Sequence, residues 1–179
     1  MKFTREPNGL DATDGAILEL LQENCTQPLA AIGEKVGLSA PAVVERIHKL
    51  EEAGVIRAYA AQLDARKLGR DVAAFIGVST GHPDAIRAVE SAMAGVDEVL
   101  ECHHVTGAHT LMLKVKTRNT ESLERLIERV RSVEGVSRTE TMVVLSTHTE
   151  RTRIALEADD GLLAPSRRTS GGRGRRAAK

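Results

Sequence analysis

One glycine, Gly37, most constrains the fold, because it separates two short amphipathic helical patterns. The apolar residues before it recur at i, i+3 and i+7: Leu29, Ile32 and Val36. The apolar residues after it recur at i, i+4 and i+7: Val43, Ile47 and Leu50. Glycine readily adopts the left-handed conformation that ends a helix. The stretch therefore predicts two helices joined by a tight turn, which is a helix-turn-helix.

The flanking residues predict a further helix and a trailing strand. A first helix is predicted over LDATDGAILELLQEN, with Asp11 and Asp14 as alternative N-caps. Ser39 caps the third helix, and Gly54 ends it. The next segment, Val55–Leu63, predicts a strand or a short hairpin arm. A strand in this place makes the helix-turn-helix winged.

The outer face of the third helix is the candidate contact with nucleic acid. At 100° per residue its apolar positions fall within an arc of about 60°, and Glu45 and His48 lie nearly opposite. Small residues near its N-terminus would let it approach base edges in a major groove. Arg46 and Lys49 would then meet phosphates, and Glu45 could accept a hydrogen bond from a cytosine amine. The predicted DNA-binding residues are Ser39, Ala40, Pro41, Ala42, Val44, Glu45, Arg46, His48 and Lys49.

A solvated face on an ordinary three-helix domain is the alternative interpretation of this helix. The charge of the segment favours that alternative: residues 1–66 carry 7 Lys/Arg and 10 Asp/Glu, a net charge of −3. Most non-specific affinity for DNA comes from neutralising phosphates. The whole chain, with 25 basic and 25 acidic residues, points to no class of partner by charge alone.

The rest of the chain alternates strands and helices. A buried strand, a helix opened by Pro83, two strands, a second helix and a last strand follow one another in the order βαββαβ. A helix-Gly-Val-strand junction recurs after 40 residues, at Gly95-Val96 and at Gly135-Val136. This order is the split-βαβ, ferredoxin-like arrangement. Two helices cover only one face of such a sheet, so the other face is predicted to be buried by a second subunit.

Composition narrows the class of protein. In 179 residues no apolar run approaches the ~20 residues of a membrane span, and no charged-then-apolar leader is recognised, so no membrane partner is expected. Two cysteines, Cys25 and Cys102, cannot form a disulfide framework, which favours a reducing cytoplasm. These observations predict a protein of the cytoplasm, and the order of helices and strands described above predicts the α+β fold class.

Four segments follow from these patterns. They are a winged helix-turn-helix domain over 10–63, a linker over 64–71, a ferredoxin-like effector and oligomerisation domain over 72–156, and a basic tail over 157–179. The tail has 6 Lys/Arg against 3 Asp/Glu and no hydrophobic period, so it is predicted to be disordered. Its composition fits either a polyanion-binding tail or a solvated terminus.

The motifs LDATDGAILELLQEN, VGLSAPAVVERIHKLEEAGVIRAYAAQLD, ECHHVTG and GVSRTETMVVL resemble those of the Lrp/AsnC family of transcriptional regulators. The resemblance runs from about Leu10 to Leu156. It implies a sequence-specific DNA-binding regulator that is not an enzyme and has no cofactor. It also implies dimers that join into octamers, free amino acids as effectors bound between dimers, and a place on the nucleoid.

Two departures from the family pattern concern the predicted sites. The position of Glu45 is more often basic or polar, so no operator sequence carries over. After Val105 the family motif Gly-x-x-Asp is replaced by a sequence without the carboxylate. The resemblance then leaves these candidate effector-binding residues: Thr106, Gly107, Ala108, His109, Thr110, Thr139 and Thr141.

Other functions fit parts of the sequence. Cys102, His103, His104 and His109 raise a metal- or thiol-sensing regulator as a minor alternative, but alternate strand residues face opposite sides, and nothing in the sequence assigns a base to the cysteine. No metal site is therefore predicted. An architectural DNA-compacting protein is the stronger alternative, because an oligomer with basic tails could wrap DNA with little sequence preference.

Overall fold

The computed structural model describes residues 9–156 and the backbone of residues 163–164. The chain divides into two compact units, one formed by Met1–Ala61 with Arg151–Lys179 and the other by Gln62–Glu150. The predicted effector domain extended to residue 156, whereas residues 151–156 belong to the first unit. The chain therefore passes from one unit to the other twice.

The first unit is built on three helices, α1 (Ala12–Glu23), α2 (Leu29–Val36) and α3 (Ala40–Glu52). Gly37 ends α2 at φ 71°, and the Ser39 side chain accepts a hydrogen bond from the Ala42 N–H at the start of α3. A Cβ at Gly33 would lie 2.5 Å from the Leu38 carbonyl oxygen, so the tight turn also needs a glycine inside α2. The predicted helix-turn-helix is confirmed. Its core residues are Ile17, Ile32, Val43 and Ile47.

A capping box starts α1 and settles which aspartate caps it. The Asp14 N–H donates to the Asp11 carboxylate (2.8 Å), and the Asp11 N–H donates to the Asp14 carboxylate (3.1 Å). The Arg46 guanidinium on α3 reaches both carboxylates, at 2.8 Å from Asp11 Oδ2 and 2.6 Å from Asp14 Oδ1. Desolvation alone would raise the pKa of Asp11, but the hydrogen bonds from Asp14 and Arg46 outweigh it and lower that pKa. Arg46 thus ties α3 to the start of α1.

The predicted wing is not formed in the described chain. Residues 57–64 are not in a strand and are solvent-exposed, whereas Val55 and Ile56 are partly buried. Ile56 packs against the helical core. A strand needs a neighbouring strand to satisfy its backbone groups, and the described residues of this unit offer none at that position. The strand predicted over Val55–Leu63 is therefore wrong for the single chain.

The second unit contains the predicted βαββαβ order. Its elements are β2 (Val72–Thr80), α4 (Pro83–Met93), β3 (Val99–His104), β4 (Leu111–Thr117), α5 (Thr120–Arg131) and β5 (Val136–Val143). The strands form one antiparallel sheet in the order β3-β4-β2-β5, preceded by a short 3₁₀ turn at Arg66–Leu68. The ferredoxin-like prediction is confirmed. None of the described helices is long and apolar enough to cross a bilayer.

The two faces of this sheet differ in what covers them. One face packs against α4 and α5 through a buried core of Ala74, Ile76, Val78, Val89, Met93, Val96, Leu111, Leu113, Val115, Leu123, Leu126 and Val130. On the opposite face, Phe75 and Met142 lie side by side in register and are 38% and 43% exposed. We call this second surface the open face.

The chain after β5 lies along part of the open face. The Val144 N–H donates to the Ala73 carbonyl (2.8 Å), and the Glu150 carboxylate approaches Lys114 Nζ (3.1 Å) and Lys116 Nζ (3.5 Å). The pKa of Lys114 is raised, first by the hydrogen bond of Lys114 to Glu101 and then by its hydrogen bond to Glu150. The segment and the sheet enclose a groove of about 290 Å³. The open face is thus partly covered by its own chain, although no helix lies on it.

The C-terminal segment returns to the first unit and forms a strand there. β6 (Leu163–Ala164) pairs in parallel with β1 (Leu10–Asp11). The prediction that the chain is disordered from residue 157 onward is therefore wrong at these two residues, because a free strand edge beside α1 accepts them. The rest of the predicted tail, 157–162 and 165–179, lies outside the described residues.

The cap at Asp11 gives a first prediction. Asp11→Ala removes the N-cap acceptor and one Arg46 partner, so it should lower the free energy of unfolding by about 1 kcal/mol in urea denaturation. Asp11→Asn keeps a capping oxygen and should cost less. Because folding lowers the Asp11 pKa from its ordinary 3.8, this contribution exists above that value and fades as the pH falls through the lowered pKa. Equal stability of the wild type and Asp11→Ala at pH 7 would contradict the prediction.

Candidate DNA-binding helix and ligand-binding turn

The predicted contact face of α3 is accessible. Ser39, Pro41, Glu45, His48 and Lys49 are exposed, whereas Ala40, Ala42, Val44 and Arg46 are partly buried. The buried stripe consists of Val43, Ile47 and Leu50. The sorting by helical angle therefore agrees with the observed burial, and small side chains occupy the first turn where a base edge could approach.

Lys49 and Glu45 form an ion pair on this face. Lys49 Nζ lies 2.7 Å from Glu45 Oε1, one helical turn away, and both side chains are 69% exposed. The hydrogen bond from Lys49 is the main cause of the lowered pKa of Glu45. Exposed pairs of this kind contribute little to stability, so Lys49 is free to exchange its partner for a phosphate.

Arg46 has a different environment from the one predicted. Its guanidinium is hydrogen-bonded to Asp11 and Asp14 rather than projecting from the helix. The bond to Asp14 and then the bond to Asp11 raise the pKa of Arg46. This geometry is at odds with a phosphate contact, because two carboxylates already use the charge. The groove between α3 and the segment before α1, about 580 Å³ in volume, has Arg46 in its wall.

The predicted effector turn lies between β3 and β4 and is fixed to the end of β2. The Thr110 N–H donates to the Val78 carbonyl (2.9 Å), and Thr110 Oγ1 accepts from the Thr80 N–H (3.3 Å). The Ser79 hydroxyl donates to the Ala108 carbonyl (3.4 Å). These bonds attach the turn of residues 106–110 to the end of β2 through Ala108 and Thr110.

His109 is the most constrained side chain of the turn. Its ring lies over Gly77, where an added Cβ would be 2.5 Å from the ring, and only 13% of the side chain is exposed. The ring Nε2 is 3.7 Å from Glu140 Oε2, whereas Nδ1 is buried without a hydrogen-bond partner. Sequence reasoning missed both Gly77 and Glu140. A glycine inside a buried strand is a signal of close approach that could have identified the first.

Thr139 and Thr141 lie on the other face of the sheet. They are paired in register with Val78 and Ile76, whose side chains are buried beneath the helices. The Thr139 hydroxyl accepts a hydrogen bond from Arg131 Nε at 2.8 Å. One chain therefore brings residues 106–110 together but does not bring these two threonines to them.

The cysteine and histidines of β3 do not form a cluster. His103 bonds to the Glu101 carboxylate (2.9 Å), and the strand pleat turns Cys102 and His104 to the opposite face. Burial, with Glu90 nearby, raises the pKa of the Cys102 thiol, the opposite of what a reactive thiolate needs. Within residues 9–156 no three His, Cys, Asp or Glu side chains are placed to hold a metal ion.

The two units define a class of protein: a helix-turn-helix DNA-binding unit followed by an α/β ligand-binding unit. Residues 10–51 match the AsnC-type helix-turn-helix domain, and residues 73–154 match the Lrp/AsnC ligand binding domain. The chain belongs to the Lrp/AsnC family of transcriptional regulators. It is a DNA-binding regulator, and proteins of this kind are not enzymes.

The chain matches known relatives over nearly the whole length of those relatives. The HTH-type transcriptional regulator FL11 of Pyrococcus horikoshii is 35% identical over 148 residues, covering 83% of this chain and 97% of the relative. The regulatory protein AsnC of Escherichia coli is 30% identical over 148 residues, covering 80% and 95%. Both similarities extend across the two units.

Solved structures show the same architecture. The complex of transcriptional regulator NMB0573 with L-Met from Neisseria meningitidis has a TM-score of 0.77 at 30% identity, covering 82% of this chain and 96% of that chain. The structure of E. coli AsnC has a TM-score of 0.75 at 28% identity, covering 80% and 97%. The matched ligand-binding region stops at residue 154, so the last 25 residues of the 179 lie beyond it.

Proposed function

We propose that the chain is a sequence-specific, amino-acid-responsive regulator whose α3 enters the major groove of double-stranded DNA. The observation that carries the proposal is the exposed first half of α3, where small side chains leave room for a base edge. The proposed contacts are Ser39, Ala40, Pro41, Ala42, Val44, Glu45, His48 and Lys49. Arg46 is assigned the role of holding α3 at its angle to α1, since its two aspartate partners lie there.

Lys49 provides the test on DNA. Lys49→Ala should weaken binding to all sequences alike and reduce the slope of log K against log salt by about one unit, because one phosphate contact is lost. Fluorescence anisotropy with an operator duplex and a random duplex at several salt concentrations measures both quantities.

Arg125→Ala is the matched control for this experiment. Arg125 also forms an exposed i,i+4 pair, with Glu121 at 2.5 Å, but it lies on α5 in the other unit. The control should leave the salt slope unchanged. If Lys49→Ala behaves like Arg125→Ala, Lys49 does not touch DNA. Equal affinity of the wild type for both duplexes would favour the architectural function instead.

The effector is proposed to be a free amino acid bound at the turn of residues 106–110. An L-Met complex of a relative with the same architecture supports a ligand of this class. The sequence lacks the family's carboxylate at position 110, but Glu140 places one 3.7 Å from the His109 ring. We assign Glu140, which is about half exposed beside the His109 ring, to the ligand's ammonium group. Thr139 and Thr141 would come from a neighbouring subunit.

Calorimetry against the standard amino acids tests this site. Glu140→Gln should weaken binding of the preferred amino acid by about ten- to a hundredfold, the effect of losing a charged hydrogen-bond partner. Gly77→Ala should also weaken it, because the new Cβ displaces the His109 ring. Glu128→Gln, an exposed carboxylate on α5, should have no effect. The site is wrong if no amino acid binds below millimolar concentration, or if Glu140→Gln and Glu128→Gln behave alike.

The open face is proposed to be the dimer interface, with dimers joining further into octamers. Phe75 and Met142 expose apolar surface there, and a second copy would bury it. Phe75→Lys should convert the dimer to a monomer at micromolar concentration, as measured by light scattering. Leu68→Lys, which changes another exposed apolar residue outside the sheet, should not. A full-size oligomer of Phe75→Lys would place the interface elsewhere.

The site of action follows from this function. A regulator that reads promoter DNA and senses free amino acids acts in the cytoplasm, on the nucleoid. Footprinting across the genome with and without amino-acid supplementation would identify both the operators and the effector response.

A further inference from the structure

The chain that leaves the second unit returns to α1 and is bound there by directed polar contacts. Gln22 and Ile154 exchange two hydrogen bonds: Gln22 Nε2 donates to the Ile154 carbonyl (3.0 Å), and the Ile154 N–H donates to Gln22 Oε1 (2.7 Å). Arg153 forms an ion pair with Glu19. We call residues 151–156 the return segment. It is attached to side chains in the second half of α1.

These contacts hold the backbone of the return segment. Gln22 satisfies both backbone polar groups of Ile154, as a neighbouring strand would, and the Leu156 N–H donates to Glu19 Oε1 at 3.2 Å. The bond from Arg153, and then the one from Leu156, lowers the pKa of Glu19. The Ile154 side chain is 71% exposed, so directed polar contacts rather than apolar burial hold the segment at this point.

The returning chain meets the first unit again at the start of α1. Leu163 of β6 is opposite Leu10 of β1, and Ala164 is opposite Asp11. Asp11 is the N-cap of α1, and its carboxylate accepts a hydrogen bond from Arg46 of α3 at 2.8 Å. The returning chain is therefore bound near both ends of α1, and one of these places includes a residue that holds Arg46.

Arg46 transmits the position of α1 to the DNA-binding helix. Its guanidinium is bonded to Asp11 and also to Asp14, at 2.6 Å, so a movement at the start of α1 carries both carboxylates with it. Hydrogen bonds to base edges need donor–acceptor distances of roughly 2.7–3.2 Å, so a shift of α3 by about 1 Å is enough to lose them. Attraction to phosphates falls off over a Debye length of about 8–10 Å and tolerates the same shift.

We propose that Gln22 and Arg153 are positioning residues for DNA binding. Together with Glu19 they hold the return segment on α1, and α1 then presents α3 at the angle at which it reads base edges. They act through α1 and not by touching DNA, so they favour the operator over other sequences without adding a phosphate contact. The proposal rests on the assignment of α3 as the reading helix.

Gln22→Ala with Arg153→Ala, in the full-length chain, tests the effect on DNA. Both residues are exposed, so the fold should persist. Fluorescence anisotropy should show about three- to tenfold weaker binding to the operator, the effect of losing hydrogen bonds of ordinary strength. Affinity for a random duplex should stay within about twofold, and the salt slope should not change. Equal weakening on both duplexes with a slope lowered by about one unit would make Arg153 a phosphate contact and overturn the proposal.

Two further variants serve as controls. Arg153→Lys keeps the ion pair with Glu19 and should bind both duplexes like the wild type. Glu121→Gln with Arg125→Ala removes an exposed ion pair from α5 in the other unit and should also have no effect. A loss of operator preference in either control would overturn the proposal.

Hydrogen exchange provides a measurement that does not depend on DNA. The Asp14 N–H donates to the Asp11 carboxylate at 2.8 Å, so its exchange rate reports the cap. It should exchange faster in the double variant than in the wild type and the α5 control. A wild-type rate overturns the proposal, as does a faster rate with unchanged operator preference. Lys49→Ala in the same binding assay separates the two failures, because an unchanged salt slope there counts against α3 as the reading helix.

Discussion

The contact between Arg46 and the two aspartates at the start of α1 is the interaction on which the first unit depends. Arg46 is on α3, and Asp11 and Asp14 form the capping box of α1, so one guanidinium fixes the angle between the helix that would read DNA and the helix that supports it. Asp11 is also part of β1, which pairs with the returning chain. A cap, an ion pair and a strand therefore meet at one residue, and none of them could move without disturbing the others.

Local sequence patterns predicted most helices and strands correctly. The errors concern strands whose formation depends on pairing with residues distant in sequence. The helices and the sheet of the second unit follow from periodicity. A helix needs only its own apolar stripe, and of the two inner strands β2 has a nearly continuous apolar run and β4 an alternating pattern. The wing over Val55–Leu63 failed because its residues resemble a strand, but no strand forms beside them in the part of the chain that the structure describes. β6 was missed for the converse reason. Two residues in a polar tail pair with a distant edge, and no local period marks them.

The same distinction applies to the candidate sites. The exposed face of α3 could be predicted residue by residue, since 100° steps fix which side chains face outward. The role of Arg46 could not, because its partners are more than 30 residues away in sequence. Likewise, the sequence showed a turn without its expected carboxylate, whereas the fold brings Glu140 of β5 to His109. A missing group at one position says little when a neighbouring strand can supply the same chemistry.

The basic side chains of α3 in the first unit are paired with carboxylates, and this pairing affects both the affinity of the unit for DNA and its specificity for a sequence. Arg46 is held by two carboxylates, and Lys49 must leave Glu45 before it can meet a phosphate. The folded helices therefore offer a complementary shape and groups that can contact base edges, but little electrostatic attraction to phosphates. Weak attraction to phosphates limits binding to DNA that lacks the operator sequence.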